Sequence, residues 1–550
     1  MDTGLMLSEA RIGAMTAAGL WTQRTILDCL EQQLADRPDQ IYVTDHNSMT
    51  GRSTSLSFRN IEHRSRRIAA GLVEYGVGVG DVVAVQLPNW WEMLAVHLAC
   101  LRIGAITNPL MPIFRARELQ FMLSFAETKV LIIPRHFRGF DYEPMIEDLR
   151  AQLPDLKHVF TVGGNGEFAF ESALLAPAWE ERVDTVELFA ERRPGANDVV
   201  QYCYTSGTSG QPKAVMHTSN TLFGGLGGAL VLQPNENTVV LMGSPLAHQT
   251  GFLFGGLLPI LLGGRLVLMD IWDPAQAVKL IHQQGVTLTM GATPFLSDLT
   301  ESALLERYPP DALELFICAG APIPRPLLQA ANQRLGAKII AGWGMSENGL
   351  VTATRRSDSS QKVFETDGLA WHGMHTRIVD DANNVVSMGT DGNLQVRGAA
   401  NFVGYLKRPQ AYTVDADGWF ETGDIAKLDA DGYVTITGRG KDLIIRGGEN
   451  IPIAEVESAL FDHPAVSKVA IVAMPDTRLG ERGCAFVTLS AAQAEFSFEQ
   501  MLAYLQTGNF AKNYWPEQLQ VLDEMPMTPS GKIQKFKLRE MAQSLRLDNN

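Results

Sequence analysis

The chain has 550 residues, 45% of them apolar and 19% charged, so it is long enough for more than one domain with sizeable buried cores. Its net charge of −15 excludes a general nucleic-acid binder and a polybasic membrane anchor, both of which need a basic footprint. Cys29, Cys100, Cys203, Cys318 and Cys484 are far apart and form no CxxC pair, which excludes a disulfide frame and a zinc knuckle and points to reduced thiols in a cytoplasmic protein.

Residues 1–20 carry Asp2, Glu9 and Arg11 and no continuous apolar run, so they do not read as a signal peptide. The spacing of Phe58, Ile61, Ile68 and Leu72 predicts one helix face, ended by Gly76. Short aliphatic runs at 82–87, 130–133, 159–162, 199–204, 239–242, 266–269, 286–289 and 315–318 predict strands. Strands alternating with amphipathic helices predict α/β layers with largely parallel sheets. Residues 251–264, closed by Arg265, are too few to span a bilayer and predict a buried core element, so no stable membrane insertion is expected.

The pattern changes after about residue 390. Asp391-Gly392, Asp417-Gly418 and Asp431-Gly432 punctuate short strands as hairpins would. The polar stretch 438–442 marks a boundary. Beyond it, helices at 455–462 and 498–506 and strands at 466–473, 484–489 and 519–522 predict a small α+β unit. The expected organisation is a large N-terminal domain over residues 1–440 and a small, mobile C-terminal domain over 441–550.

The densest chemical signal is Tyr204-Thr205-Ser206-Gly207-Thr208-Ser209-Gly210-Gln211-Pro212-Lys213. Glycines let backbone N–H groups approach phosphate oxygens, hydroxyls add donors and a lysine adds charge. On chemistry alone an ordinary Ser/Gly turn explains it equally well. The run is not a Walker loop, since no GxxxxGK[ST] occurs anywhere in the chain, and no GxGxxG occurs either.

This run resembles the signature loop of the adenylate-forming superfamily, which includes acyl-CoA synthetases, peptide-synthetase adenylation domains and luciferases. The resemblance runs from about Ile26 to Leu538, with the family's motifs in order. One departure is Ala214, where the family usually has glycine after the loop lysine.

The resemblance implies roles for particular residues. Gly342-Trp343-Gly344-Met345-Ser346-Glu347 would place Trp343 on adenine and Glu347 on Mg²⁺, with Thr208 nearby. Read without the family, Trp343 is a core residue and Glu347 a solvated acid. Asp424, in Thr422-Gly423-Asp424, would accept hydrogen bonds from the ribose, assisted by Arg439. Cys318-Ala319-Gly320-Ala321-Pro322 would border the adenine and acyl sites. Lys532, in Pro529-Ser530-Gly531-Lys532, would bridge the carboxylate and the α-phosphate. Lys441 would be the hinge of the small domain, and Arg446-Gly447-Gly448 would meet CoA in a second pose.

The implied activity is an ATP-dependent acid–thiol ligase with ATP, Mg²⁺, CoA and a small carboxylic acid as its partners. The acyl pocket would be lined by His248, Ala292, Phe295, Ala319 and Gly344, with His248 as a gate. The segment 244–251 has no Asp for an ammonium group and lacks the Asn–Ser pattern of dihydroxybenzoate-activating relatives. Gly344 should leave the pocket open where acetate-specific relatives close it with tryptophan. A medium-chain or alicyclic acid fits an apolar lining best, since hydrocarbon binds at roughly 0.8 kcal/mol per buried CH₂. Two alternatives stay open: loading of a separate carrier protein, and an aromatic acid as the substrate. The oligomeric state is also open, a homo-oligomer included.

Overall fold

The computed structural model describes residues 3–182, 184–205, 212–320, 325–439, 444–451, 453–490, 495–526, 533 and 535–545. Two large sheets form the N-terminal domain. The first has nine strands, in the order Leu369–Ala370, Gly349–Ala353, Lys338–Met345, Leu315–Cys318, Leu288–Gly291, Val239–Met242, Arg265–Met269, Ile41–Asn47 and Arg52–Ser57. Its middle is parallel and its two edges antiparallel. The second has six strands, in the order Lys213–Thr218, Val199–Thr205, Ile106–Pro109, Val82–Val85, Thr128–Pro134 and His158–Val162. All its pairings are parallel except the hairpin between the first two.

The helix Trp91–Arg102 is buried along its whole length, because it touches strands of both sheets. A helix buried on every side, Glu92, His97 and Arg102 included, is stable only in such a layer. The helix predicted from Phe58, Ile61, Ile68 and Leu72 spans Phe58–Glu74, with all four side chains in the core. Ser57 and Asn60 form a capping box at its start. Gly76 follows at φ +81°, a conformation that favours glycine.

Residues 251–264 form a largely buried core element, as expected, and 251–262 of it are helical. A π-helical stretch, Gly251–Leu257, runs into the α-helix Leu258–Leu262, and Gly263 ends it in the left-handed region. The predicted strand at 286–289 is displaced to Leu288–Gly291, since the Val286 amide still donates to the Ile281 carbonyl at the end of the preceding helix.

A four-stranded antiparallel sheet, Met374–Val379, Gly392–Gly398, Phe420–Leu428 and Val434–Arg439, follows. Asp431-Gly432 makes a tight turn in it, whereas Gly392 already begins a strand. The smaller C-terminal domain holds the strands Ile444–Arg446, Glu449–Ile451, Val466–Asp476, Gly480–Leu489 and Gln518–Val521, with the helices Ile453–Phe461, Phe498–Thr507 and Lys535–Ser544. Two apolar clusters of its own, around Val456 and Leu460 and around Phe486 and Leu538, hold it together. All five cysteines are buried and unpaired.

Candidate active site

Parallel strands carry their ligand-binding loops at their carboxyl ends. Here those ends converge on one cavity of about 300 Å³. Met290 comes from the end of Leu288–Gly291, Ala319 and Gly320 follow Leu315–Cys318, and Gly344 to Glu347 end and follow Lys338–Met345. The six-stranded sheet contributes Thr205 and Lys213, which face each other across the hairpin. Leu253 and Phe254 of the π-helical stretch supply apolar wall. The cavity is therefore polar at the hairpin and apolar at the helix.

Glu347 is buried, and its Oε1 accepts a 2.7 Å hydrogen bond from the Tyr405 hydroxyl. Burial first, and the neighbouring Glu347 second, raise the Tyr405 pKa, so the phenol stays protonated and donates. The Lys213 ammonium lies 4.0 Å from the centre of the Tyr405 ring. Thr205 Oγ1 is buried with no hydrogen-bond partner among the described residues. A buried hydroxyl without a partner is costly unless a ligand bonds it. Glu347, Thr205 and Lys213 thus present a hard carboxylate, an open hydroxyl and a cation to one space, a set that fits polyphosphate with Mg²⁺.

The backbone that carries Glu347 is held from two sides. His217 Nε2 donates to the Ser346 carbonyl at 2.7 Å, and its Nδ1 lies 3.1 Å from Thr221 Oγ1. Burial pushes the His217 imidazole down to about 4, so it is neutral at pH 7. The Phe402 amide donates to the Glu347 carbonyl at 2.8 Å. The loop leading to His248 is clamped by Asn89, whose amide nitrogen donates to the Ser244 carbonyl at 2.9 Å and whose oxygen accepts from Leu246 N at 2.7 Å. His248 lines the cavity half-buried, and desolvation lowers its pKa, so it is a neutral wall residue. Gln249 beside it is 3% exposed, and neither atom of its amide has a partner among the described residues.

Several predicted residues stand elsewhere. Trp343 is 8% exposed, packs in the core and does not line the cavity. Its indole N–H donates to Asp424 Oδ2 at 3.0 Å. Asp424 is itself 2% exposed, while Glu421, Thr422 and Gly423 line the cavity wall. The core reading of Trp343 is the one this geometry gives, and adenine stacking on it would need the indole uncovered. Gly342 is also within the strand, where a Cβ would lie 2.8 Å from the Thr352 carbonyl.

Ala292 and Phe295 are not cavity walls either. Phe295 packs edge-on against Trp272 at 4.5 Å, turned toward a separate apolar cluster. Ala292 instead meets the C-terminal domain. A Cβ on Gly448 would lie 2.9 Å from the Ala292 methyl, and Gly448 itself lines the cavity. The turn of Arg446, Gly447 and Gly448 therefore faces the site in this structure. The Arg446 guanidinium is paired with Glu517 at 2.7 Å within its own domain.

Gly344 has a stricter reason than pocket size. A Cβ there would lie 1.8 Å from the Gly349 carbonyl oxygen, across the hairpin it makes with Gly349–Ala353. A tryptophan at this position would displace backbone before it filled any cavity. Ala214, the departure from the family pattern, is fully buried among Tyr202, Met216 and Leu406, so its methyl is packed rather than crowded.

Ser206, Gly207, Thr208, Ser209, Gly210, Ala321, Pro322, Lys441 and Lys532 lie outside the described residues. For Arg439 only the backbone is described, paired with Asp424 across the sheet.

Comparison with known proteins decides the family. Residues 30–406 match the AMP-binding enzyme family, and residues 455–532 match the AMP-binding enzyme C-terminal domain. The chain belongs to the AMP-binding enzyme family. This AMP-binding enzyme is 35% identical to the medium-chain fatty-acid–CoA ligase of Escherichia coli, over 98% of this chain and 94% of that one. It is 31% identical to a salicylyl-CoA synthase / salicylate adenylyltransferase of Streptomyces, over 95% of both chains. Its fold matches the amide bond synthetase McbA of Marinactinospora thermotolerans with a TM-score of 0.80 and 25% identity, covering 93% of this chain and 99% of that one. The AMP-binding enzyme therefore has the adenylate-forming fold and belongs among ligases of acyl and aryl acids.

Sequence reasoning missed Tyr405, His217, Asn89 and Gln249. The first three sit in no motif with chemistry of its own, and Gln249 lies in the segment 244–251, which is informative only for the Asp and the Asn–Ser pattern it lacks. The partners of the first three lie 58, 129 and 155 residues away, so only the fold reveals them.

Proposed function

We propose that this AMP-binding enzyme is an acyl-CoA synthetase that activates a medium-chain or alicyclic carboxylic acid with ATP and passes the acyl group to CoA. The observation that supports it most is that Thr205, Lys213 and Glu347 line the same cavity as the apolar Leu253, Phe254 and Met290. Such a cavity holds polyphosphate and hydrocarbon side by side, which is what adenylation of an apolar acid requires.

A carboxylate oxygen attacks the α-phosphorus of ATP, the bond to the β-phosphate oxygen breaks, and pyrophosphate leaves. The thiol sulfur of CoA then attacks the acyl carbon, AMP leaves with the bridging oxygen, and the thiol proton is released. Lys532 is assigned to the first step and Gly447-Gly448 to the path of the thiol arm in the second. Rotation about Lys441 would exchange the two. Glu347 and Thr208 would hold Mg²⁺, which when bound supplies charge neutralisation on the phosphate oxygens. Thr205 Oγ1 and Lys213 would bond phosphate oxygens directly, and neutral His248 would wall off water from the acyl end.

A second reading has one observation in its favour. The unpaired Gln249 amide at the cavity suits an acid with a hydroxyl, such as the salicylate named for one relative. One panel separates the readings: pyrophosphate release and CoA consumption with acetate, hexanoate, octanoate, dodecanoate, cyclohexanecarboxylate, benzoate and salicylate. A maximum at octanoate or cyclohexanecarboxylate, with CoA consumed in step, is the expected result. Salicylate exceeding benzoate and octanoate by about a hundredfold or more would replace it with the second reading. Pyrophosphate release without CoA consumption would make the acceptor a carrier protein.

A further inference from the structure

Tyr405 belongs to none of the motifs that carry the resemblance, yet it touches two residues that do. Its hydroxyl donates to Glu347 Oε1 at 2.7 Å, and its ring lies 4.0 Å from Lys213 Nζ. The side chain is 1% exposed. Its backbone is fixed with equal care. The segment 403–406 runs antiparallel along the strand Lys213–Thr218, through Met216 N to Gly404 O at 3.0 Å and Leu406 N to Ala214 O at 2.9 Å. Phe402, three residues before it, bonds the Glu347 carbonyl. The ring of Phe402 packs against that of Tyr405 at 4.6 Å.

We propose that Tyr405 is a positioning residue of the nucleotide site, fixing the Glu347 carboxylate through its hydroxyl and seating the Lys213 ammonium on its ring. The two arms differ in what they govern. A carboxylate with one oxygen bonded by Tyr405 loses rotamer freedom and turns its other oxygen to a set direction, as an outer hydrogen-bond partner does for a metal ligand. The hydroxyl thus governs how Mg²⁺ is held with the nucleotide. The ring face attracts the lysine cation and keeps it within the cavity until phosphate oxygens draw it off. The ring thus governs nucleotide affinity without metal. This proposal rests on the ATP-site reading above.

The test measures affinity for α,β-methylene-ATP by calorimetry, first in EDTA and then across a Mg²⁺ titration, so no turnover is needed. Tyr405→Phe removes the hydroxyl and keeps the ring. It should raise the half-effective Mg²⁺ concentration about tenfold, the range of a lost hydrogen bond to a charged group, and leave affinity in EDTA unchanged. In a Glu347→Gln background the same change should add nothing. Glu347→Asp, which keeps the carboxylate but withdraws it from Tyr405, should repeat the Mg²⁺ effect in a chain whose aromatic packing is intact. An unmoved Mg²⁺ midpoint in Tyr405→Phe or in Glu347→Asp would overturn the proposal, as would an undiminished shift in the Glu347→Gln background. A wild-type chain that binds the analogue with no Mg²⁺ dependence would instead overturn the ATP-site reading itself.

Discussion

Glu92 stands in the first turn of the helix Trp91–Arg102, buried, with its Oε2 lacking a hydrogen-bond partner among the described residues. Burial, the largest cause, pushes its pKa from 4.5 up to about 8, with Asp45 adding to the rise and Arg64 opposing it. Asp45, which accepts a 3.2 Å bond from the Trp91 amide, is pushed up to about 6, again mainly by burial. An unfolded Glu92 gives up its proton near pH 4.5, whereas the folded chain keeps it to about pH 8. The folded state therefore binds more protons in that window, and stability falls as pH rises through it. Urea unfolding of the wild-type chain should show lower resistance at pH 8 than at pH 5.5. Glu92→Gln should remove a share of that fall on the order of 1–3 kcal/mol. A variant with the wild-type slope would show that Glu92 is ionised in the folded state.

At the scale of elements, the Arg446–Glu449 turn is the contact that joins the domains at the site. Gly447 and Gly448 have φ +59° and +88°, and the second abuts Ala292. A Gly448→Val substitution meets both a left-handed backbone and a neighbour. With the other pose serving adenylation, the first-turnover release of pyrophosphate, one per enzyme, should stay within about twofold of the wild-type rate while thioester formation falls about a hundredfold, the scale of a misplaced reacting group. Thioester formation at the wild-type rate would contradict the docking role of this turn. Much of this architecture is legible in the sequence. Strands such as Val239–Met242 and Leu315–Cys318 carry continuous apolar runs because both faces of a parallel sheet are covered. The edge strand Arg52–Ser57 is not legible. Its polar run RSTSLS, buried only at Leu56 and Ser57, has no apolar pattern, and its partner Ile41–Asn47 carries Asp and His near its end. The motif residues are findable as motifs, but their neighbours are not. Trp343 reads as a nucleotide stacker in its motif, yet its indole is bonded to Asp424, 81 residues on.

Across the whole molecule, two sheets, an antiparallel layer and a small domain enclose one chemical space. Contacts far from the cavity support that closure. Arg117 lies 3.9 Å over the Phe510 ring, and Arg478 reaches Asp298 at 3.6 Å, each pair joining the large domain to the small one. The central claim is that a carboxylate enters this space and is joined to the α-phosphate of ATP before a thiol takes the acyl group. The most direct measurement uses the preferred acid labelled with ¹⁸O in both carboxylate oxygens, with mass analysis of AMP, pyrophosphate and acyl-CoA. The account predicts one ¹⁸O in AMP, one in the thioester and none in pyrophosphate, because the attacking oxygen stays with the α-phosphorus. Label in a β- or γ-derived phosphate, or AMP without label, would contradict it.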